Sequence, residues 1–389
     1  MDVTARKALA QSGVDRRAAV LDDLSLRIHG QPELAFEERF ASSALADLVE
    51  REGVRVRRGV AGLDTAFVAE AGSGRPVVAV LAEYDALPGV GHACGHNLMG
   101  TAAAGAFLAA RDALDGLGGT VRLVGCPAEE RGNGKVRLIE GGVFRDVDAA
   151  VMFHPGDRDE IDPLMLALVQ LEVEFTGRAA HAAGEPYLGV NALDALMLAW
   201  SALSSLRQLV RTDSRIHGIV TDGGQAANII PERAAARLLV RSPDSAYLED
   251  LRARVLACFQ GAATATGCEL RYTWSDGMES VVTNRALADA FQANARALGR
   301  EVPRRTSAET QGSTDLGNVS TRVPAIHPFL AVCDAPVPGH SHAFAKAAAT
   351  PRALETMRLA AKALAMTALD VLADPGLAQR AKEEHHARR

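Results

Sequence analysis

From Val77 to Ala82 the chain reads VVAVLA, six apolar residues without a polar break, followed by Glu83-Tyr84-Asp85 and a Pro/Gly turn. A short, continuous apolar run bounded by turn residues predicts a buried strand. Val121 to Cys126 repeats the pattern and stops at Pro127-Ala128, before Glu129-Glu130; Ala149 to Phe153 repeats it again, before His154-Pro155. Between these runs, alanine-rich Thr101 to Leu114 has the length of a helix, and Lys135 to Glu140 is a shorter one stopped by Gly141-Gly142. Such strand-helix-strand alternation predicts an α/β fold with a mainly parallel sheet and helices on both faces. Upstream, Leu, Ala and Val recur at helical spacing from Thr4 to His29, and a second helix is expected from Phe36 to Glu52. Both are expected to lie on the sheet, with short strands at Val54 to Arg58 and Asp64 to Glu70 leading into it.

Near Asp162-Pro163 the pattern changes. Val169 to Thr176, VQLEVEFT, alternates apolar and polar residues as a half-exposed edge strand would. A helix (Val190 to Leu206), two strands (Ile216 to Asp222 and Arg233 to Arg241), a helix (Ala246 to Phe259) and a strand (Glu269 to Trp274) follow. This β-α-β-β-α-β order predicts an inserted α+β ferredoxin-like domain at 167–275, dividing a catalytic domain made of 1–166 and 276–389. Helix-strand alternation then returns with Arg285 to Leu298, a strand-like Val323 to Val332, and a helical region from Ala343 to Leu372 broken near Pro351. The tail from Ala381 to Arg389, with His385 and His386, reads as a solvated end.

Composition narrows the function. With 389 residues and 48% hydrophobic content the chain has material for more than one core. The net charge of -6, the 4% aromatic content and the lack of a basic cluster give no nucleic-acid footprint. Five widely spaced cysteines without a CxxC read as reduced thiols. No secretory signal opens the chain and no run approaches the roughly 18 apolar residues of a membrane span. The expectation is a cytoplasmic protein.

The chemistry lies where the three apolar runs end. Open α/β sheets gather their sites at the carboxyl ends of parallel strands, so Cys94 and His96, Glu129 and Glu130, and His154 are expected to converge, with Gly339-His340-Ser341-His342 arriving after a later strand. Thiolate, imidazole and carboxylate are the usual ligands of Zn²⁺ and related ions. Adjacent glutamates can divide the work, one holding metal and one moving a proton. Each residue alone has an ordinary reading. Cys94 would be a core thiol, His154 a strand-end histidine, Glu129-Glu130 a solvated turn, His327 a satisfied core group, His92 a loop hydrogen bonder, and Ser313 to Asp315 a turn and helix cap. Two other functions compete with a metal hydrolase: an amidase using Cys94 as nucleophile with His96 as base, and a non-catalytic binding protein on the same fold.

GHACGHNLMG, the PAEE at 127–130, the FHP at 153–155, IHGQPELAFEE at 28–38 and GRAAHAA at 177–183 together resemble the M20 metallopeptidases. The likeness points to amidohydrolases such as aminobenzoyl-glutamate hydrolases, N-acyl amino acid deacylases and auxin-conjugate hydrolases, and GSTDLGNVS at 312–320 to the aminobenzoyl-glutamate branch. The resemblance implies two divalent metal ions (Zn, Mn or Co) held by Cys94, His96, Glu130, His154 and His340. It implies Glu129 as general base, Asp85 as an orienting acid, and His181 as a lid histidine that steadies the oxyanion in the partner subunit of a homodimer. Asn228, in QAANIIP, falls at the other lid motif, and Arg215 or Arg322 is available for a substrate carboxylate. The implied reaction is hydrolysis of an amide in a small N-acyl amino acid, dipeptide or aryl amide. The chain departs from many relatives at Asn97, where an aspartate is usual, and at Glu83-Tyr84, where Asp-Met is usual. His340 and His342 compete for the last ligand position, and the motif, with an aromatic residue at Phe344, favours His340.

Overall fold

A computed structural model describes residues 1–306, 310–334 and 336–388. In order, the elements are α1 (Val3–Arg16), α2 (Ala18–Gly30), α3 (Arg39–Arg51), β1 (Val56–Arg58), β2 (Phe67–Ser73), β3 (Val77–Glu83), α4 (His96–Asp112), β4 (Gly119–Cys126), α5 (Gly134–Glu140), β5 (Ala149–Val151) and β6 (His154–Gly156). There follow β7 (Leu164–Met165), β8 (Ala167–Thr176), α6 (Ala192–Leu206), β9 (Arg215–Asp222), β10 (Arg233–Ser242), α7 (Ser245–Thr266), β11 (Glu269–Trp274), α8 (Arg285–Ala297), β12 (Thr310–Gly312), α9 (Leu316–Ser320), β13 (Ala325–Ile326), β14 (Phe329–Ala331), α10 (His342–Ala347), α11 (Pro351–Ala373) and α12 (Pro375–Ala387). They divide into two units, one of Met1–Leu164, Val281–Ser307 and Asp315–Arg389, the other of Met165–Ser280 and Ala308–Thr314.

The first unit is built on a six-stranded sheet in the order β1-β2-β4-β3-β5-β13. β4, β3, β5 and β13 run parallel, while β1 and β2 form an antiparallel margin. Every residue of β3 and β4 is buried, which requires cover on both faces of the sheet. The register brings the strand ends level: Glu83 pairs with Cys126, and Val80 with Val151, so Glu83 and His154 each fall three residues beyond one matched pair. α4 and α11 pack on β3 and on each other. Contrary to expectation, α1 and α2 pack chiefly on α4 and α11 rather than on the sheet. The reason is that α4 is buried on every side from His96 to Ala110, so its outer surface needs its own cover. α1 and α2 are separate helices meeting at Arg17, whose guanidinium pairs with Glu52 and Asp112, each at 2.7 Å.

The tail also differs from the sequence expectation. α12 buries Leu377, Ala381 and His385, while His386 stays exposed. The Glu384 carboxylate accepts the Arg285 and Ala286 N–H groups that open α8, at 3.0 and 3.1 Å. Arg389 lies outside the described residues.

The second unit has a four-stranded antiparallel sheet in the order β11-β8-β10-β9. With α6 and α7 this is the ferredoxin-like βαββαβ arrangement. Val169, Leu171, Val173 and Phe175 of β8 point into a core shared with Leu196, Leu238 and Phe259. Glu172 and Glu174 on the other face pair with Arg237 and Arg233, at 3.0 and 2.7 Å. β8 is therefore an interior strand and not the edge its alternation suggested; the alternation reflects a sheet covered on one face. The edges are β11 and β9. β7 and β12 form a two-stranded pair, and Leu166 N–H donates to Gly312 O at 2.7 Å.

Candidate metal centre

His96 is the first residue of α4, and Gly95 before it has φ 77°. A Cβ at Gly95 would come 2.5 Å from Pro155 Cγ, so only glycine lets this turn approach the end of β5 so closely. His96 Nδ1 donates to Asp85, 2.9 Å from its carbonyl and 3.0 Å from Oδ1. Its buried Nε2 has no hydrogen-bond partner among the described residues. His154 behaves alike. Its Nδ1 donates to Pro155 O at 2.7 Å, leaving Nε2 bare at 3.3 Å from Cys94 Sγ. A histidine whose Nδ1–H is fixed by an oxygen presents Nε2 as a ligand. Glu130 Oε1, also buried without a hydrogen bond, stands 3.5 Å from His340 Nε2. His340 has φ 60°, strained for a residue with a Cβ, and its N–H donates to Ala93 O at 2.9 Å.

Three overlapping groups of donors result: Cys94, His96 and His154; Cys94, Glu130 and His340; His96, Glu129 and Glu130, with the atoms of each group within 4.8 Å of one another. Sulfur, imidazole and carboxylate donors with unsatisfied buried atoms fit divalent transition metals. Burial, then the nearby charges of Glu83, Glu130 and Asp315, pushes the Glu129 carboxyl well above the usual range. Burial, then His96, lowers His154 to about 4, keeping it neutral as a ligand must be. Burial, then Glu130, pushes the Cys94 thiol up, so in the absence of a cation it is a poor nucleophile.

The loop carrying Glu129 and Glu130 is tied down by three carboxylates. Ala128 N–H donates to Glu38 Oε1, Glu130 N–H to Asp85 Oδ2 and Lys135 N–H to Asp315 Oδ2, each at 2.8 Å. The loop closes so tightly that a Cβ at Gly134 would meet Pro127 O at 1.8 Å. Asp85 thus orients His96 with one oxygen and the Glu130 backbone with the other.

The model of peptidase family M20/M25/M40 matches residues 77–369. The chain belongs to that family. The Xaa-Arg dipeptidase of Mus musculus is 39% identical over 97% of this chain and 91% of its own length. A p-aminobenzoyl-glutamate hydrolase of Escherichia coli is 32% identical over 93% of this chain and 91% of its own. Among solved structures, the YXEP protein of Bacillus subtilis, described as a dinuclear metal binding peptidase, superposes with a TM-score of 0.72 at 21% identity, over 92% of this chain and 99% of that one. By its family this M20 peptidase is a hydrolase of amide bonds.

Other residues of the M20 chain fall in more varied places. His181 and Asn228 lie in the second unit on paired loops, where Ala182 N–H donates to Asn228 O at 3.0 Å. His181 Nδ1 accepts the Ala183 and Gly184 N–H groups at 3.2 and 3.0 Å, which places its proton on Nε2. Arg215 opens β9 and spends its guanidinium on its own turn, at 2.6 Å from Thr212 O. His342 begins α10 and belongs to none of the donor groups found among the described residues. Asn97 is not a replacement for an orienting aspartate: its amide donates to Ser25 Oγ at 3.0 Å and Ala348 O at 3.1 Å, bonds a carboxylate cannot make. Asp315 does not cap α9 with its side chain. It is fully buried and faces Lys135, which with Glu83 and Glu38 was missed by sequence reasoning. His327 is not satisfied; it is fully buried, its ring edge-on to His154 at 5.3 Å, with neither nitrogen hydrogen-bonded among the described residues.

Proposed function

We propose that the protein hydrolyses a small amide, in a dipeptide, N-acyl amino acid or aryl amide of the aminobenzoyl-glutamate kind, at a centre of two divalent metal ions (Zn, Mn or Co). The observation that carries this reading is the convergence of Cys94, His96, Glu129, Glu130, His154 and His340 into overlapping donor groups. Cys94, His96, Glu130, His154 and His340 hold the ions, which when bound supply Lewis acidity that acidifies water and polarises the scissile carbonyl. Glu129 accepts the proton of the attacking water and passes it to the leaving amine nitrogen, a role its raised carboxyl pKa suits. Asp85 keeps the His96 proton on Nδ1. His181 presents Nε2–H to the developing oxyanion of the other subunit, while Asn228 and Arg215 contact substrate. Relatives that act on dipeptides and on aminobenzoyl-glutamate support the substrate class.

A homodimer through the second unit completes the proposal. β9 is a sheet edge that buries only Ile216, and Ile219 and Val220 stand 61% and 45% exposed on it, with Met197 of α6 at 54%. A second copy of that edge would pair the open backbone groups and cover the apolar ones. No helix among the described residues is long and apolar enough to cross a membrane. The five unpaired cysteines support a cytoplasmic location.

The test is metal analysis of the purified protein together with a hydrolysis screen of dipeptides, N-acyl amino acids and aryl amides. Chelator-sensitive turnover that survives thiol alkylation of the metal-loaded enzyme is expected. Turnover insensitive to chelator but lost on alkylation would instead favour a Cys94 nucleophile, and no turnover with any amide would favour a binding protein.

A further inference from the structure

Behind the Glu129-Glu130 loop lies a buried charge that the reaction above does not use. Lys135, near the start of α5, is fully buried. Its Nζ stands 2.5 Å from Asp315 Oδ1 and makes a still closer ion pair with Glu83 Oε1, at an angle that misses a hydrogen bond. Asp315 holds the residue twice, since Oδ2 also accepts the Lys135 N–H. Glu129 belongs to the same group: oxygens of Glu83, Glu129 and Asp315 lie within 4.8 Å of one another, the spacing of a cation site. The other oxygen of Glu83, Oε2, is 3.4 Å from His96 Nε2, the bare nitrogen of the metal centre. Three buried carboxylates without a counter-charge would be strongly disfavoured. The lysine supplies one from inside the fold, on a tether that cannot exchange with solvent ions.

We propose that Lys135 is a positioning residue of the hydrolytic site, its ammonium taking the place of a third cation among Glu83, Glu129 and Asp315. It thereby anchors the far end of the Glu129-Glu130 loop and fixes the orientation of the general base. It also commits Glu83 to an internal partner, so that this carboxylate does not compete with Glu130 for the ions at His96. The inference rests on the amide-hydrolase reading.

Lys135→Met removes the charge at nearly constant length. Lys135→Met/Asp315→Asn also removes the carboxylate which the single change strands, and leaves an oxygen to accept the Lys135 N–H. Glu83→Gln leaves the Lys135–Asp315 pair whole and serves if the double variant does not fold. Each folded variant is compared with the wild type for kcat and KM, and for Zn²⁺ affinity by competition with a chromophoric chelator. The expected result is a fall of about 100-fold in kcat with KM within about threefold, and Zn²⁺ affinity weaker by about tenfold. Wild-type kcat and Zn²⁺ affinity in the folded double variant or in Glu83→Gln would overturn the proposal, because a lysine needed only for folding leaves both intact once folding is restored. A wild-type protein that binds no Zn²⁺ and cleaves no amide would overturn the hydrolase reading instead.

Discussion

The carboxyl ends of β3, β4 and β5 and the loops of the ferredoxin-like unit both carry residues of the proposed reaction, yet they are held in opposite ways. At the strand ends Asp85, His96 and Glu129 are buried, and the N–H groups of the Glu129-Glu130 loop are taken by Glu38, Asp85 and Asp315. In the other unit His181 and Asn228 are held at the surface, fixed by backbone pairing and by two local hydrogen bonds to an imidazole nitrogen. Burial makes every unpaired charge costly, so the first region is determined by its partners throughout. A donor within reach of water carries no such penalty, so the second needs only local geometry and something to act upon.

This contrast sets the expected size of each perturbation. Glu129→Gln leaves the fold and removes the proton acceptor, so kcat is expected to fall by about 10³-fold, with unchanged turnover refuting the assignment of the base. His181→Ala is expected to lower kcat by about 10² to 10³-fold while leaving Tm and metal content at wild-type values; a loss of metal would show that the two regions are not independent. Asp85→Asn disturbs both the His96 proton and the Glu130 backbone, and is expected to weaken metal binding by about 10 to 100-fold, read by chelator competition.

The remaining two effects concern stability and assembly. Burial above all, with Asp85 nearby, pushes the Glu38 carboxyl up to about 7 against its hydrogen bonds. The folded chain then keeps a proton that the unfolded chain releases from about pH 4.5, so this group's stabilisation is full below that and is lost as pH rises towards 7. Glu38→Gln should flatten Tm against pH across that window, and an unchanged slope would remove Glu38 as its source. Ile219→Lys on the exposed edge of β9 should change stability by less than about 0.5 kcal/mol, yet yield a monomer in light scattering; a persistent dimer would move the interface elsewhere.

Periodicity made most of this architecture legible. Runs such as Val77 to Ala82 are short, wholly apolar and closed by turn residues, and the parallel strand ends then gather Cys94, Glu130 and His154. The errors came where a local pattern has two tertiary causes. The alternation of β8 suits an edge strand equally well as an interior strand of a sheet covered on one face, and only pairing on both sides decides between them. α1 and α2 have the stripe of helices lying on a sheet, but the surface they cover belongs to α4 and α11. Single buried charges were hardest to see: a lysine opening a helix and an aspartate after a turn look solvated until Lys135 and Asp315 are brought together across 180 residues.

The sequence by itself determined the family, the strand-end placement of the donors and the βαββαβ insertion, because these follow from local periodicity and from residue types at short spacing. Only the tertiary structure decided which nitrogen of His96 and His154 is free, that Asp85 serves two loops at once, and that Lys135 stands among the carboxylates behind the base. Those features depend on hydrogen bonds and desolvation between distant segments, and a buried charge is defined by the neighbours that folding brings to it.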